Sequence, residues 1–192
     1  QSRGQIDQTV GPVFVIAEGG VNHNGSPELA HRLVDAAADA GADAVKFQTF
    51  DPEALAAAGA PTADYQRAAG EQAVDQREML GRLALPVEAW TGIQAHAVDR
   101  GLVFLSTPFD DASADLLAAL GVPAFKVASG ELTNLPFLER LACRGRPLLV
   151  STGMADILEV AGALDAIAAA GDPPVALFHC VSNYPADPAD AN

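Results

Sequence analysis

Short apolar runs alternate along the chain with longer stretches in which apolar residues recur at helical spacing. The runs cover residues 13–17, 44–48, 102–106, 124–128, 147–152 and 175–180. Most are continuous rather than alternating, as expected for parallel strands that are covered on both faces. Six runs with helical stretches between them predict right-handed crossovers and a parallel α/β sheet.

Capping residues and glycines mark the predicted helix boundaries. Ser26, Pro27 and Glu28 form a start signal, because a serine cap, a proline in the first turn and an early acidic residue all favour a helix N-terminus. Gly41 then ends that helix. The same reasoning predicts helices from Asp110 or Asp111 to Gly121, over 134–145 with Cys143 buried, and over 156–171.

Two architectures fit this order of elements. One is a doubly wound open sheet, and the other is a (β/α)8 TIM barrel of which about six β/α units are present. The segment EGGVNHNG after the first run lacks the G-x-G-x-x-G spacing of a dinucleotide site. A long interval, 51–85, follows the second run, and its irregular part, 59–76, lies on the face where the active-site loops of a barrel grow.

Composition narrows the function classes. The net charge of −14 disfavours non-specific nucleic-acid binding and docking to an anionic membrane. We expect a cytoplasmic protein, because there is no signal peptide and no apolar stretch of about 18 residues. Cys143 and Cys180 are the two cysteines, and their spacing predicts neither a disulfide framework nor a zinc motif.

Lysine is rare in this sequence and is placed selectively. The 11 basic residues include only two lysines, Lys46 and Lys126, and both lie in apolar runs. Polar residues also end every run, and the carboxyl ends of parallel strands form the edge where α/β folds bind ligands. These polar residues are Glu18, Lys46, Gln48, Thr107, Lys126, Ser129, Glu131, Ser151, Thr152, His179, Ser182 and Tyr184.

This edge predicts a site for an anionic small molecule. Lysines and hydroxyls suit phosphate or carboxylate, and Glu18 and Glu131 are candidate acid–base groups. A structural interpretation stays open, because single polar residues at strand ends are often caps and each lysine could pair with a buried glutamate without a functional role. His23 and His179 are near the site but lack metal-ligand spacing.

Six collinear motifs carry a family resemblance. VIAEGGVNHNG, GADAVKFQTF, FLSTPFD, GVPAFKVASGELTNLP, LLVSTGM and HCVSNYP resemble the sialic acid synthase family, which includes N-acetylneuraminate, legionaminate and pseudaminate synthases and spore-coat relatives. The resemblance covers about residues 12 to 192. It implies, over 12–192, part of a TIM-barrel catalytic domain without the family's C-terminal antifreeze-like domain. The N-terminal segment, 1–11, is expected to be a loose leader before the first strand.

The resemblance also implies roles for individual residues. The family condenses phosphoenolpyruvate with an N-acetylated aldose, typically N-acetylmannosamine, and releases phosphate. Glu18 and Glu131 match its acidic catalytic positions. The implied phosphoenolpyruvate ligands are Lys46, Thr107, Lys126, Ser129, Ser151 and Ser182, and Gln48 and Tyr184 would line the sugar pocket.

Some implied features lie outside the sequence. The resemblance implies a divalent metal, manganese or magnesium, whose two histidine ligands come from later strands, beyond residue 192. It also implies a homodimer of the full-length protein. We therefore expect this sequence to be part of a longer synthase, with strand edges 1 and 6 unpaired and no synthase activity of the isolated 192 residues.

Two alternative functions remain open at this point. The chain could be a non-catalytic binding module that retains the phosphate-binding strand ends. It could also be another phosphoenolpyruvate–aldose synthase, of the octulosonate-phosphate or heptulosonate-phosphate type, although such enzymes need further basic residues for a phosphorylated sugar. The segments NHNG and SNYP argue against this second alternative.

Overall fold

The computed structural model describes residues 12–55, 75–183 and 186–191, which form an α/β fold with parallel strands. The strands are β1 (Ile16–Gly20), β2 (Ala44–Thr49), β3 (Val103–Pro108), β4 (Phe125–Val127), β5 (Leu148–Ser151) and β6 (Val175–Phe178). The helices are α1 (Pro27–Asp39), α2 (Pro52–Leu55), α3 (Gln76–Leu83), α4 (Ala89–Asp99), α5 (Asp111–Leu120), α6 (Leu135–Ala142) and α7 (Ile157–Ala170). Single 3-10 turns lie at Ser129–Glu131 and Pro188–Asp190.

The strands form two parallel sheets in sequence order, β1-β2-β3 and β4-β5-β6. β3 and β4 lie side by side without a ladder of backbone hydrogen bonds between them. Within the described residues β1 pairs only with β2, β6 pairs only with β5, and no closed barrel is seen. The prediction of a parallel α/β fold is therefore confirmed, whereas a closed TIM barrel is not observed.

The two faces of β2 show how the layers are built, because successive side chains point to opposite faces of a strand. Phe47 is buried against the helical side, with ring centroids 6.1 Å from Trp90 and 6.0 Å from Phe104. The other face carries Lys46 and Gln48, which line a cavity. The main apolar core therefore lies between strands and helices, and the opposite face is left for ligands.

The first strand begins later than the apolar run predicted. Residues 13–17 were expected to form it, but β1 covers Ile16–Gly20 because its pairing with β2 starts at Ile16, opposite Ala44. Val13 and Phe14 lie before the strand and are exposed. The shift places Glu18 within the strand, directly opposite Lys46, rather than beyond its end.

The capping signals are confirmed. Ser26 Oγ accepts a hydrogen bond from the Leu29 N–H at 3.2 Å, and the Asp110 carboxylate accepts one from the Ser113 N–H at 2.7 Å. The helix predicted over 134–145 is shorter, because α6 ends at Ala142. The prediction that Cys143 is buried is wrong, since it follows the helix and is exposed.

The interval after β2 is only partly described. Its described parts contain α2 and α3, which lie on either side of the segment predicted to be irregular. Most of the predicted irregular segment 59–76, together with the predicted leader 1–11, lies outside the described residues. Among the described helices, none is long and apolar enough to cross a lipid bilayer.

Candidate functional site

A cavity of about 350 Å³ lies at the carboxyl ends of the strands. Most of the predicted site residues line it, and they come from all six strands or from the segments that directly follow them. The lining comprises Ile16, Glu18, Lys46, Gln48, Thr107, Phe109, Lys126, Ala128, Ser129, Ser151, Phe178, Cys180 and Ser182. The structure therefore brings eight of the ten predicted site residues together, whereas their individual roles stay predictions.

Glu18 and Lys46 form an ion pair across the β1–β2 ladder, where they occupy directly opposite positions. The Lys46 side chain is only 10% exposed, whereas that of Glu18 is 52% exposed. The buried ammonium thus has its counter-ion on the solvent side of the cavity. The carboxylate compensates the lysine charge and remains accessible from the cavity.

Lys126 is held differently, by neutral acceptors. Its Nζ donates to Ser151 Oγ at 2.6 Å and to the Val127 carbonyl at 2.7 Å, and it lies 5.8 Å from the centre of the Phe178 ring. Burial, and then the nearby charge of Lys46, lower the pKa of Lys126 to about 8. An anion between the two lysines would relieve their repulsion, so this arrangement favours a ligand of negative charge.

The hydroxyl groups of the cavity are partly organised by neighbouring groups. Ser129 Oγ accepts a hydrogen bond from the Gly153 N–H at 3.0 Å. Ser151 Oγ accepts from Lys126 and also lies 3.3 Å from Cys180 Sγ. A serine hydroxyl has one hydrogen and two lone pairs, so an accepted bond leaves its hydrogen available for a ligand.

Cys180 and Gly153 are site residues that the sequence interpretation did not single out. Cys180 follows β6 and lines the cavity. Gly153 follows β5 and contacts two lining residues, Ser129 and Ser182. Their positions in the motifs HCVSNYP and STGM, directly after apolar runs, were the only available signal, and a tight turn explained the glycine equally well.

Two predicted residues are not part of the cavity lining. Glu131 is half-buried at the end of the 3-10 turn after β4, and its carboxylate accepts a hydrogen bond from Asn134 Nδ2 at 2.8 Å. The backbone turns after Ser129, so the side chain two residues later leaves the cavity wall. Tyr184 lies outside the described residues.

The glycine pair after Glu18 has a packing role. A Cβ at Gly19 would lie 2.7 Å from the Phe47 ring, and Gly20 has a φ of +50° beside Glu18 and Gln48. His23 is buried, with Nδ1 accepting from the Gly25 N–H at 3.1 Å, and burial lowers its pKa. The segment after β1 thus packs against Phe47 of the core.

The donor set of the cavity does not fit a divalent metal ion. Its carboxylate, Glu18, is paired with Lys46, and Lys126 adds a second positive charge. Divalent cations in proteins need several carboxylate, carbonyl or imidazole ligands. Over residues 12–55, 75–183 and 186–191, no group of three or more His, Cys, Asp or Glu side chains could hold a metal ion.

Comparison with known proteins gives consistent matches. The model of the NeuB family matches residues 33–192. The N,N'-diacetyllegionaminic acid synthase of Legionella pneumophila is 44% identical over 93% of this chain and 51% of its own length. The spore coat polysaccharide biosynthesis protein SpsE of Bacillus subtilis is 40% identical over 97% of this chain and 50% of its own.

A solved structure agrees with these matches. The N-acetylneuraminic acid synthetase of Leptospira borgpetersenii, crystallised with citrate, aligns with a TM-score of 0.80 and 31% identity. The alignment covers 95% of this chain and 59% of that one. The chain thus spans about half the length of the curated relatives it matches.

Proposed function

This chain belongs to the NeuB family, and we propose that it carries the phosphoenolpyruvate site of a nonulosonate synthase. The proposed reaction condenses phosphoenolpyruvate with N-acetylmannosamine or a related N-acetylated aldose and releases phosphate. The proposal rests on one observation. Lys46 and Lys126 line the same cavity as several serine and threonine hydroxyls. Two ammonium groups match a ligand that bears both a phosphate and a carboxylate.

The cavity residues would bind and orient phosphoenolpyruvate. Lys46 and Lys126 would offset its negative charges in a partly buried site, where such contacts are stronger than in water. Hydroxyl donors would come from Thr107, Ser129, Ser151 and Ser182, and Gln48 and Tyr184 would contact the sugar. The Glu18 side chain is half exposed, so it would lie between the bound ligand and solvent.

The chemistry follows from the substrates. The methylene carbon of phosphoenolpyruvate attacks the aldehyde carbon of the open-chain sugar and forms the new carbon–carbon bond, while the aldehyde oxygen takes up a proton and becomes a hydroxyl. The carbon that bears the phosphate oxygen becomes electron-deficient, and water adds to it. The tetrahedral intermediate then breaks its C–O bond to phosphate, which leaves as inorganic phosphate, and a keto group forms as the added hydroxyl loses its proton. Glu18 would orient that water and accept its proton, because Glu18 is the carboxylate that lines the cavity among the described residues. The position of Glu131 supports such a role less well.

We extend the proposal to the whole protein. The active protein would be a complete (β/α)8 barrel with a divalent metal bound by residues outside this chain, and it would be a cytoplasmic homodimer. The greater length of the relatives supports this extension. So does an apolar hollow at the amino ends of the strands, lined by Phe14, Leu105 and Leu149, which a further barrel segment would cover.

An assay of phosphate release tests the proposal. The full-length protein, supplied with manganese or magnesium, is incubated with phosphoenolpyruvate and N-acetylmannosamine or its di-N-acetylated relatives, with each substrate alone as the control. Release that requires both substrates is expected. Release only when a phosphorylated sugar replaces the N-acetylated one, with phosphoenolpyruvate still present, would indicate the octulosonate-phosphate type. Binding of phosphoenolpyruvate without release would indicate a non-catalytic binding module.

A further inference from the structure

Gly153 occupies a junction between three strand ends. It follows β5, its N–H donates to Ser129 Oγ on the segment after β4, and it faces Ser182 on the segment after β6. A Cβ built at this position would lie 2.5 Å from Ser182 Oγ and 2.9 Å from Ser129 Oγ. Real Cβ atoms do not approach other atoms this closely, so a side chain here must displace both hydroxyls.

The backbone around Gly153 is anchored, so the hydroxyls would move first. The neighbouring Thr152 donates from its N–H and its Oγ1 to the Phe178 carbonyl, at 3.2 Å and 2.9 Å. Gly153 itself does not have a φ in the left-handed region, so alanine fits its backbone conformation. The two crowded atoms are ends of serine side chains, which rotate about a single bond.

We propose that Gly153 is a positioning residue, whose missing side chain sets the direction of the Ser129 and Ser182 hydroxyls. This inference rests on the proposed function, in which both hydroxyls contact the phosphate. The Gly153 N–H occupies one lone pair of Ser129 Oγ, so the hydroxyl hydrogen is left for an acceptor in the cavity. Gly153 thus acts through the two serines and needs no contact with the ligand.

The direct test is the affinity for inorganic phosphate of Gly153→Ala, measured by calorimetric titration. We expect binding about tenfold weaker or more, because two hydrogen bonds to a charged ligand are misdirected. The melting temperature should stay close to that of the parent. Gly130→Ala is the matched control, because a Cβ there meets nothing within 4 Å. An unchanged affinity in Gly153→Ala would overturn the inference.

A double-mutant comparison separates positioning from general damage. In a background that carries Ser129→Ala and Ser182→Ala, adding Gly153→Ala should weaken phosphate binding no further, because the two hydroxyls are already gone. A further loss equal to that in the parent would show that Gly153 acts independently of the serines and would contradict the inference.

Measurements without the Gly153 substitution distinguish a failure of this inference from a failure of the proposed function. If the parent binds phosphate but the full-length protein with manganese or magnesium does not turn over phosphoenolpyruvate with any N-acetylated aldose, the proposed function fails and the phosphate titrations still decide the role of Gly153. If the parent binds neither phosphate nor phosphoenolpyruvate, both are overturned.

Discussion

The two ends of the strands carry opposite chemistry on the same face of the sheets. At the carboxyl ends the cavity holds Glu18, Lys46 and Lys126. Towards the amino ends lies a small apolar cluster of Ile16, Ala44, Val103 and Ala124, which extends to Leu105 and Leu149. This division is typical of barrel-like α/β folds, in which one end binds ligands and the other stabilises the fold. Ligand binding and stability should therefore respond to different substitutions.

The largest expected effect is on ligand affinity, from Lys126→Met. The change removes a partly buried ammonium but keeps a long apolar side chain, so phosphate affinity should fall by about 100-fold while the melting temperature does not fall. Calorimetric titration and a thermal melt measure the two quantities. Arg140→Met is the charge-matched control, because Arg140 pairs with Asp111 on the surface. Equal losses of affinity in both variants would contradict the assignment of phosphate binding to the cavity.

The reciprocal change is Leu105→Ala in the apolar cluster. Leu105 is 2% exposed, so its truncation should lower the free energy of unfolding by about 2 kcal/mol or more. Phosphate affinity should remain within about twofold of the parent value. Urea unfolding and a titration at low denaturant concentration check both expectations. A tenfold loss of affinity with unchanged stability would reverse the assignment of the two ends.

The pH dependence of phosphate binding should reveal the titration of Lys126. The pKa of Lys126 is about 8, so phosphate affinity should fall as the pH rises above 8, by up to about tenfold per pH unit. This folded-state pKa lies below the ordinary value of 10.5, so between pH 8 and 10.5 the unfolded chain binds more protons than the folded chain. The contribution of Lys126 to the free energy of unfolding therefore rises with pH over that range.

Lys126→Met should remove both of these pH effects. Titrations of the parent and the variant between pH 7.5 and 9.5, at constant ionic strength, provide the check. A parent affinity that stays constant across this range would contradict the assignment of Lys126 as the titrating phosphate ligand.

The smallest expected effect comes from Glu131→Gln. Glu131 bonds to Asn134 and does not line the cavity, so its neutralisation should change phosphoenolpyruvate affinity by less than about twofold. Glu18→Gln should slow phosphate release far more, because it removes the proposed proton acceptor and the partner of Lys46. Steady-state kinetics of the two variants decide between the carboxylates. A greater loss in Glu131→Gln would reverse their roles.

The sequence predicted the features that depend only on residues close together along the chain. The alternation of side chains places Lys46 and Gln48 on one face, and both line the cavity. The caps at Ser26 and Asp110 were also predictable, because a cap depends on residues within one turn. Such short-range rules need no knowledge of neighbouring strands.

The remaining features depend on contacts between distant segments. The start of β1 is set by its register with β2, so the apolar run alone gave the wrong bounds. The contact of Gly153 with Ser129 and Ser182 joins segments from three strands. Glu131 leaves the cavity because a 3-10 turn follows β4. None of these contacts produces a periodic pattern in the sequence.

Lys46 and Lys126 are proposed to hold phosphoenolpyruvate together, and a crystal structure of the protein with phosphoenolpyruvate at saturating concentration is the sharpest test. We expect the ligand in the cavity at the carboxyl ends of the strands, with its phosphate within hydrogen-bond distance of Lys126 Nζ and Ser129 Oγ. An empty cavity, or the ligand bound only elsewhere on the protein, would rule out this role of the two lysines.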